Sequence, residues 1–333
     1  MAVMLVARLL FALAWLASLA AGAGDQGLLI VHKGSSALGF YQLDGKLLTA
    51  VPIGQHPHEI AFSTDGRYAY ITDNGVMRVE NEGQGGNTVS IVDLRARKNA
   101  GTVSLGEFRR PHGIALEPAT GRLLVTTELP DQLLLVDPVK RVIVRKYETK
   151  GKASHMVVLS RDGKRAFVCN AKSETVAVIE LASGQLRLIK VPGRPESAIL
   201  SRDGSKLYVA NIDADNITII DTAKEAVIDR IPTGKGGPVR MALTPDERLL
   251  VYALMHSGGA EFIDLAARKV VAHFDIGGEP VSMGLSPDGR LAYVALESDD
   301  TICVIGVPER KLLRKFKTPP GAGPDPVRFV TLN

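Results

Sequence analysis

One unit recurs along almost the whole of this 333-residue chain. It opens at Pro57 (PHEIAFSTDGRYAYIT) and returns at Pro111 (PHGIALEPATGRLLVT), Ser154 (SHMVVLSRDGKRAFVC), Pro195 (PESAILSRDGSKLYVA), Pro238 (PVRMALTPDERLLVYA) and Pro280 (PVSMGLSPDGRLAYVA). A seventh start, at Pro326 (PVRFVTLN), stops after one strand. Apart from the first interval, the starts lie 41 to 46 residues apart. A unit of that length cannot bury its apolar surface alone and must stack against copies of itself.

Each unit reads as four strands, here called a to d. Strand a follows the start, and strand b follows a turn such as STDGR or SPDGR, where Asp-Gly supplies the positive φ of a tight hairpin. Strand c is NTVSIVD (87–93) in the first unit and its counterparts later, and strand d is the β-rich run after it, such as VIVRKY or AVIDRI. Strands a and b are apolar almost continuously, as in sheets covered on both faces. The chain opens with LLIVHK (28–33), LGFYQLD (38–44) and KLLTAVPIG (46–54), which match b, c and d without an a; PVRFVTL (326–332) supplies the missing a. Six full units and one split unit predict an all-β, seven-bladed β-propeller with four-stranded blades, one of them closed by both chain ends. Closure leaves no open sheet edge at a terminal repeat.

The first residues carry one positive charge, Arg8, then a short apolar run and Ala21-Gly22-Ala23. This reads as a signal peptide over 1–23, followed by a single propeller domain over 24–333, periplasmic or secreted, with no membrane span after cleavage. The formal net charge of +4 is too small for a dedicated nucleic-acid binder, and a monomer is expected. Cys169 and Cys303 fall in different blades and are expected to be unpaired, buried thiols.

The strand-b pieces YITDN (70–74), FVCNA (167–171), YVANI (208–212) and YVALE (293–297), with the SPDGR turns, resemble the YVTN-type repeat over essentially the whole chain after residue 23. That resemblance implies an exported propeller. It also implies kinship in repeat pattern with propeller lactonases of the 6-phosphogluconolactonase and carboxymuconate-cyclising type. The Gly-His and Trp-Asp signatures of WD40 repeats are absent.

Strand direction alternates within a blade, so the d–a and b–c connections line one mouth of the channel and the a–b and c–d turns line the other. His58, His112 and His155 hold the same slot, one residue past the start, in three consecutive units. Glu196, Val239, Val281 and Val327 fill that slot elsewhere. His32, His56 and His256 fall near the same mouth, with Asp73, Glu128, Asn170, Asn211 and Glu297 at or beside strand-b ends and Arg240 and Arg328 in strands a. The b–c connection NGVMRVENEGQGGN (74–87) is much longer than the others, as lids and recognition loops are.

Two chemistries follow. As a binding module, the mouth would hold a small anion, a divalent transition metal or a protein partner. His32, His58, Asp73, Asn170, Asn211, Arg240, Arg328 and Glu297 would contact the ligand, and His58, His112 and His155 would be the metal donors. As a lactonase-like or cyclising enzyme, His112, His155, Glu128 and Glu196 would move protons while arginines hold a carboxylate or an oxyanion. The histidines equally suit a structural role, bonding loop backbone. A third reading is a scaffold for another exported protein. No CxxCH, HExxH, GxSxG or phosphate-loop motif occurs.

Overall fold

The computed structural model describes residues 25–332, so the expected signal at 1–23 lies outside it. Twenty-eight strands form seven antiparallel four-stranded sheets. Six begin with inner strands β4 (Pro57–Phe62), β8 (Arg109–Glu117), β12 (Ser154–Leu159), β16 (Pro195–Leu200), β20 (Pro238–Leu243) and β24 (Pro280–Leu285), and define blades one to six. In the seventh, β28 (Pro324–Leu332) pairs with β1 (Asp25–His32), followed by β2 (Ala37–Gln42) and β3 (Leu47–Pro52). Each inner strand touches the next, and β28 touches β4, which closes the ring.

Packing explains the closure. Seven buried apolar clusters each join two neighbouring blades: Leu29, Val31 and Phe40 of blade seven meet Ile60 and Ile71 of blade one, and Leu28 and Tyr41 meet Tyr293 and Ile302 of blade six. Strands a and b are therefore covered on both faces, while the outer d strands alternate exposed and half-buried. The a–b turns follow the expected chemistry. Gly66, Gly163, Gly204 and Gly289 adopt φ of 69° to 72°, and in blade five Glu247 takes that position at 54°. Cys169 and Cys303 are unpaired and buried, and burial pushes their thiols up to about 12 and about 11. Among the described residues no helix is long and apolar enough to cross a membrane.

Blade seven departs from the expected register. The pairs Ile30–Val327 and His32–Pro324 match Ile71–Ile60 and Asp73–Pro57 of blade one. The repeat therefore restarts at Pro324, not Pro326. The residue that shares the slot of His58, His112 and His155 is Asp325, not Val327. Two prolines two residues apart, both able to open an edge strand, made the starts indistinguishable by pattern; the hydrogen-bond ladder separates them.

Candidate functional site

The mouth formed by the d–a and b–c connections contains a cavity of about 230 Å³. The repeated slot supplies much of its wall: His58, His112, His155, Glu196, Val239, Val281 and Asp325 all border it. Lys33 and Glu297 border it as well, and each follows a strand-b end at equivalent positions of blades seven and six. Met77, Arg78, Val79 and Glu80 of the long 74–87 connection form the roof.

The histidines pack as one cluster. The rings of His112 and His155 lie 3.7 Å apart, and those of His58 and His112 lie 4.5 Å apart. His58 Nε2 is 2.9 Å from Val76 O, so it must donate there. Its Nδ1 then accepts from His112 Nε2 at 2.9 Å. This leaves His112 Nδ1 as a buried lone pair without a partner. His155 Nδ1 donates to the Glu196 backbone carbonyl at 3.0 Å, and its Nε2 lies 3.4 Å from the same residue's carboxylate. Burial, reinforced by neighbouring cations, holds His58 and His112 well below the usual imidazole range; burial also lowers His155, with Glu196 opposing it. The cluster is largely neutral.

These contacts do not make the expected metal site. Both nitrogens of His58, Nε2 of His112 and Nδ1 of His155 are committed to each other, to Val76 and to Glu196, so the three rings do not offer three free donors to one ion. Among the described residues no group of three or more His, Cys, Asp or Glu side chains is arranged to hold a metal ion.

Below the cavity, the buried Glu59 carboxylate joins Arg240 and, at 3.1 Å, Arg328, linking inner strands β4, β20 and β28 across the channel. Arg240 therefore stands between the cavity and this ionic floor. Its guanidinium is held fully charged, burial being outweighed by Glu59 and other acids. Above, the 74–87 segment is a strap tied to four other blades. Arg110 donates to Gly83 O at 2.7 Å and to Asn81 O, Lys172 to Val79 O at 3.3 Å, Arg194 pairs with Glu80 at 2.8 Å, and Arg78 pairs with Glu279 at 2.6 Å and Glu297 at 3.2 Å.

Several residues expected to contact ligand do not border the cavity. His32, Asp73, Asn170 and Asn211 hold equivalent strand-b ends, one strand out from the axis, and bond strand c or their neighbours. His32 Nε2 lies 2.7 Å from the Tyr41 hydroxyl, Asp73 accepts from Thr88 at 2.7 Å, and Asn170 donates to Thr175 at 3.1 Å. Asn211 donates to Asn216 at 2.9 Å. Glu128 lies under Arg110 at 3.7 Å and is pushed up to about 7 by burial. Arg328 belongs to the floor. The mouth is also charge-balanced rather than basic, because Lys33, Arg78, Arg194 and Arg240 each face a carboxylate.

The strand-b ends give a direct stability test. Burial raises Asp73 to about 7. A carboxyl raised in the folded state stabilises at low pH and loses that contribution as pH rises through its folded value. Asn170 holds the equivalent strand-b end in blade three without a charge, donating from its amide to Thr175. Asp73→Asn is therefore expected to stabilise the protein at pH 8 by on the order of 1–3 kcal/mol, with the advantage vanishing near pH 4. Urea titrations of both proteins across that range would measure it; a pH-independent difference would contradict the assignment.

Fold and mouth together define a seven-bladed propeller with a roofed, polar cavity at one end of its channel. Among solved structures it is similar to the Pseudomonas aeruginosa periplasmic gluconolactonase PpgL, with 19% identity over 92% of this chain and 99% of that one and a TM-score of 0.75. It is also similar to a functionally unknown protein from Desulfotomaculum acetoxidans, at 13% identity over 92% and 99% of the two chains and a TM-score of 0.76. Dihydro-heme d1 dehydrogenase NirN, in complex with DHE, matches at 17% identity over 94% and 76%, with a TM-score of 0.68. At these identities the likeness establishes the architecture. No protein-family model and no curated protein matches the chain.

Proposed function

We propose that this is an exported propeller whose roofed mouth binds a small oxygen-rich molecule carrying one carboxylate, or the corresponding lactone. The observation that carries this reading is the set of unpaired buried polar atoms on residues bordering the cavity: Arg240 Nη1, His112 Nδ1 and Asp325 Oδ1. Each such atom costs about 1–3 kcal/mol when left without a partner. A guanidinium N–H suits a carboxylate or carbonyl oxygen, and an imidazole lone pair suits a hydroxyl. The balanced charge disfavours polyanions. Titration calorimetry with gluconate, glucono-1,5-lactone, inorganic phosphate and zinc tests the reading: heat with gluconate or the lactone is expected, and silence with both would overturn it.

Lactone hydrolysis is the second reading, favoured by His112 having a buried ring nitrogen without a partner, while both nitrogens of His58 are engaged and His155 is oriented by Glu196. His112 would be the general base, His58 would fix its tautomer, and His155 would be a positioning residue. PpgL is described as a gluconolactonase, which makes that lactone the first to assay. His112→Ala should lower any turnover by about 100-fold or more with folding retained. Unchanged turnover would remove His112 from the mechanism.

A further inference from the structure

We propose that the wall formed by Glu279, Glu297 and Asp325 is a subsite for a guanidinium or alkylammonium group, and that Arg78 of the strap is its intramolecular occupant. The proposal rests on the reading that the mouth binds small molecules, and it adds a cationic end to what the mouth accepts.

The geometry of Arg78 is that of a bound ligand. Its two terminal nitrogens meet the two oxygens of Glu279 at 2.6 and 2.8 Å, and one also lies 3.2 Å from Glu297. A bidentate pair of this kind is how a carboxylate recognises a planar guanidinium. Arg78 reaches this wall from blade one, on a connection that crosses the mouth to blade six. Lys33, the other cation of the wall, belongs to the ring itself: its side chain is 6% exposed and lies 3.2 Å from Glu297 and 3.6 Å from Asp325.

Charge makes the subsite selective. With Arg78 withdrawn, three carboxylates face Lys33, with Arg240 offsetting Asp325 from the floor side. Asp325 already has one oxygen buried without a hydrogen-bond partner, so the wall has acceptor capacity that its own residues do not fill. Arg78 and Glu279 remain about one-third exposed, at 33% and 30%. That access to water lets a solute cation exchange with Arg78, whereas Lys33 is enclosed. The strap keeps its other ties, through Arg110, Lys172 and Arg194, when this one is released. A small cation can thus replace Arg78 without the strap leaving the mouth.

If Arg78 occupies the wall most of the time, apparent affinity for an external cation falls in proportion to the vacant fraction. Removing the occupant should therefore tighten binding. The test uses the full chain with agmatine as probe, gluconate as parallel ligand and calorimetry as readout. Arg78→Ala is expected to bind agmatine at least about tenfold more tightly than the unmodified protein. The Arg78→Ala/Glu279→Gln double variant should lose that gain; both substitutions sit at the partly exposed rim, and a thermal melt confirms that each variant is folded. Agmatine binding that is no tighter in Arg78→Ala, or a gain that survives in the double variant, would overturn the proposal. Gluconate binding without agmatine binding would remove the cation subsite and leave the proposed function standing. Agmatine binding without gluconate or lactone binding would support the subsite and overturn the carboxylate reading.

Discussion

Removing residues 324–333 is expected to abolish the cooperative fold. β28 is the inner strand of blade seven, and its loss exposes the backbone edge of β1 over most of its length. Val327, fully buried, leaves the cluster that joins blades six and seven. Lys33 loses Asp325, and Glu59 loses Arg328. Blade seven then stands as a three-stranded sheet whose channel side is open, and the ring no longer closes. These losses fall at one seam and together approach the whole net stability of an ordinary domain, about 5–15 kcal/mol. Size-exclusion chromatography and urea unfolding followed by circular dichroism should show aggregation or a broad, non-cooperative transition. Adding a peptide of residues 324–332 should restore a sharp one, because strand pairing rather than chain continuity completes the blade. A truncated chain that stays monomeric and melts like the intact protein would show that closure is not what holds the ring.

That dependence was readable from the sequence, and the reason is physical. A repeat whose a and b strands are both apolar has to be covered on both sides, so the count of units and the unmatched pieces at either end determine the ring. The slot of His58, His112 and His155 was readable too, because equivalent positions in adjacent blades are neighbours in space. So was the strap, whose length stands out against short connections. Which way a strand-b end points was not. His32, Asp73, Asn170 and Asn211 sit at the correct mouth but one strand out from the axis, where side chains tie strands b and c instead of facing the cavity. The pairing of Glu59 with Arg240 and Arg328 joins residues far apart in the chain, and no spacing rule connects them. Lys33 could have been found: it holds, in blade seven, the position that Glu128 and Glu297 hold in blades two and six. Asp325 could not be found before the ladder placed Pro324, and Glu279 and Arg78 gain meaning only once the strap is seen to cross the mouth.

The ionic floor should be the most sensitive single position in the channel. Glu59 is 2% exposed and is the shared counter-charge of two arginines from strands on other sides of the axis. Glu59→Ala leaves both guanidiniums in the channel without it, and breaking a buried ion pair by deleting one partner typically costs about 3–5 kcal/mol. The expected loss is of that size in urea unfolding. Glu59→Gln, which retains the shape and an accepting oxygen, should lose less. The cost belongs to the stranded charges rather than to missing attraction, and a third variant separates the two. Replacing Glu59, Arg240 and Arg328 together by apolar residues of similar volume should recover much of the loss, since buried ionic groups are often no more stabilising than the apolar packing that replaces them. The same triple variant would lose the Arg240 guanidinium beneath the cavity and should bind neither gluconate nor its lactone. Recovery of stability without recovery of binding would assign the floor to ligand recognition. A Glu59→Ala loss below about 1 kcal/mol would instead mean that water reaches the three groups and screens them as it does at a surface.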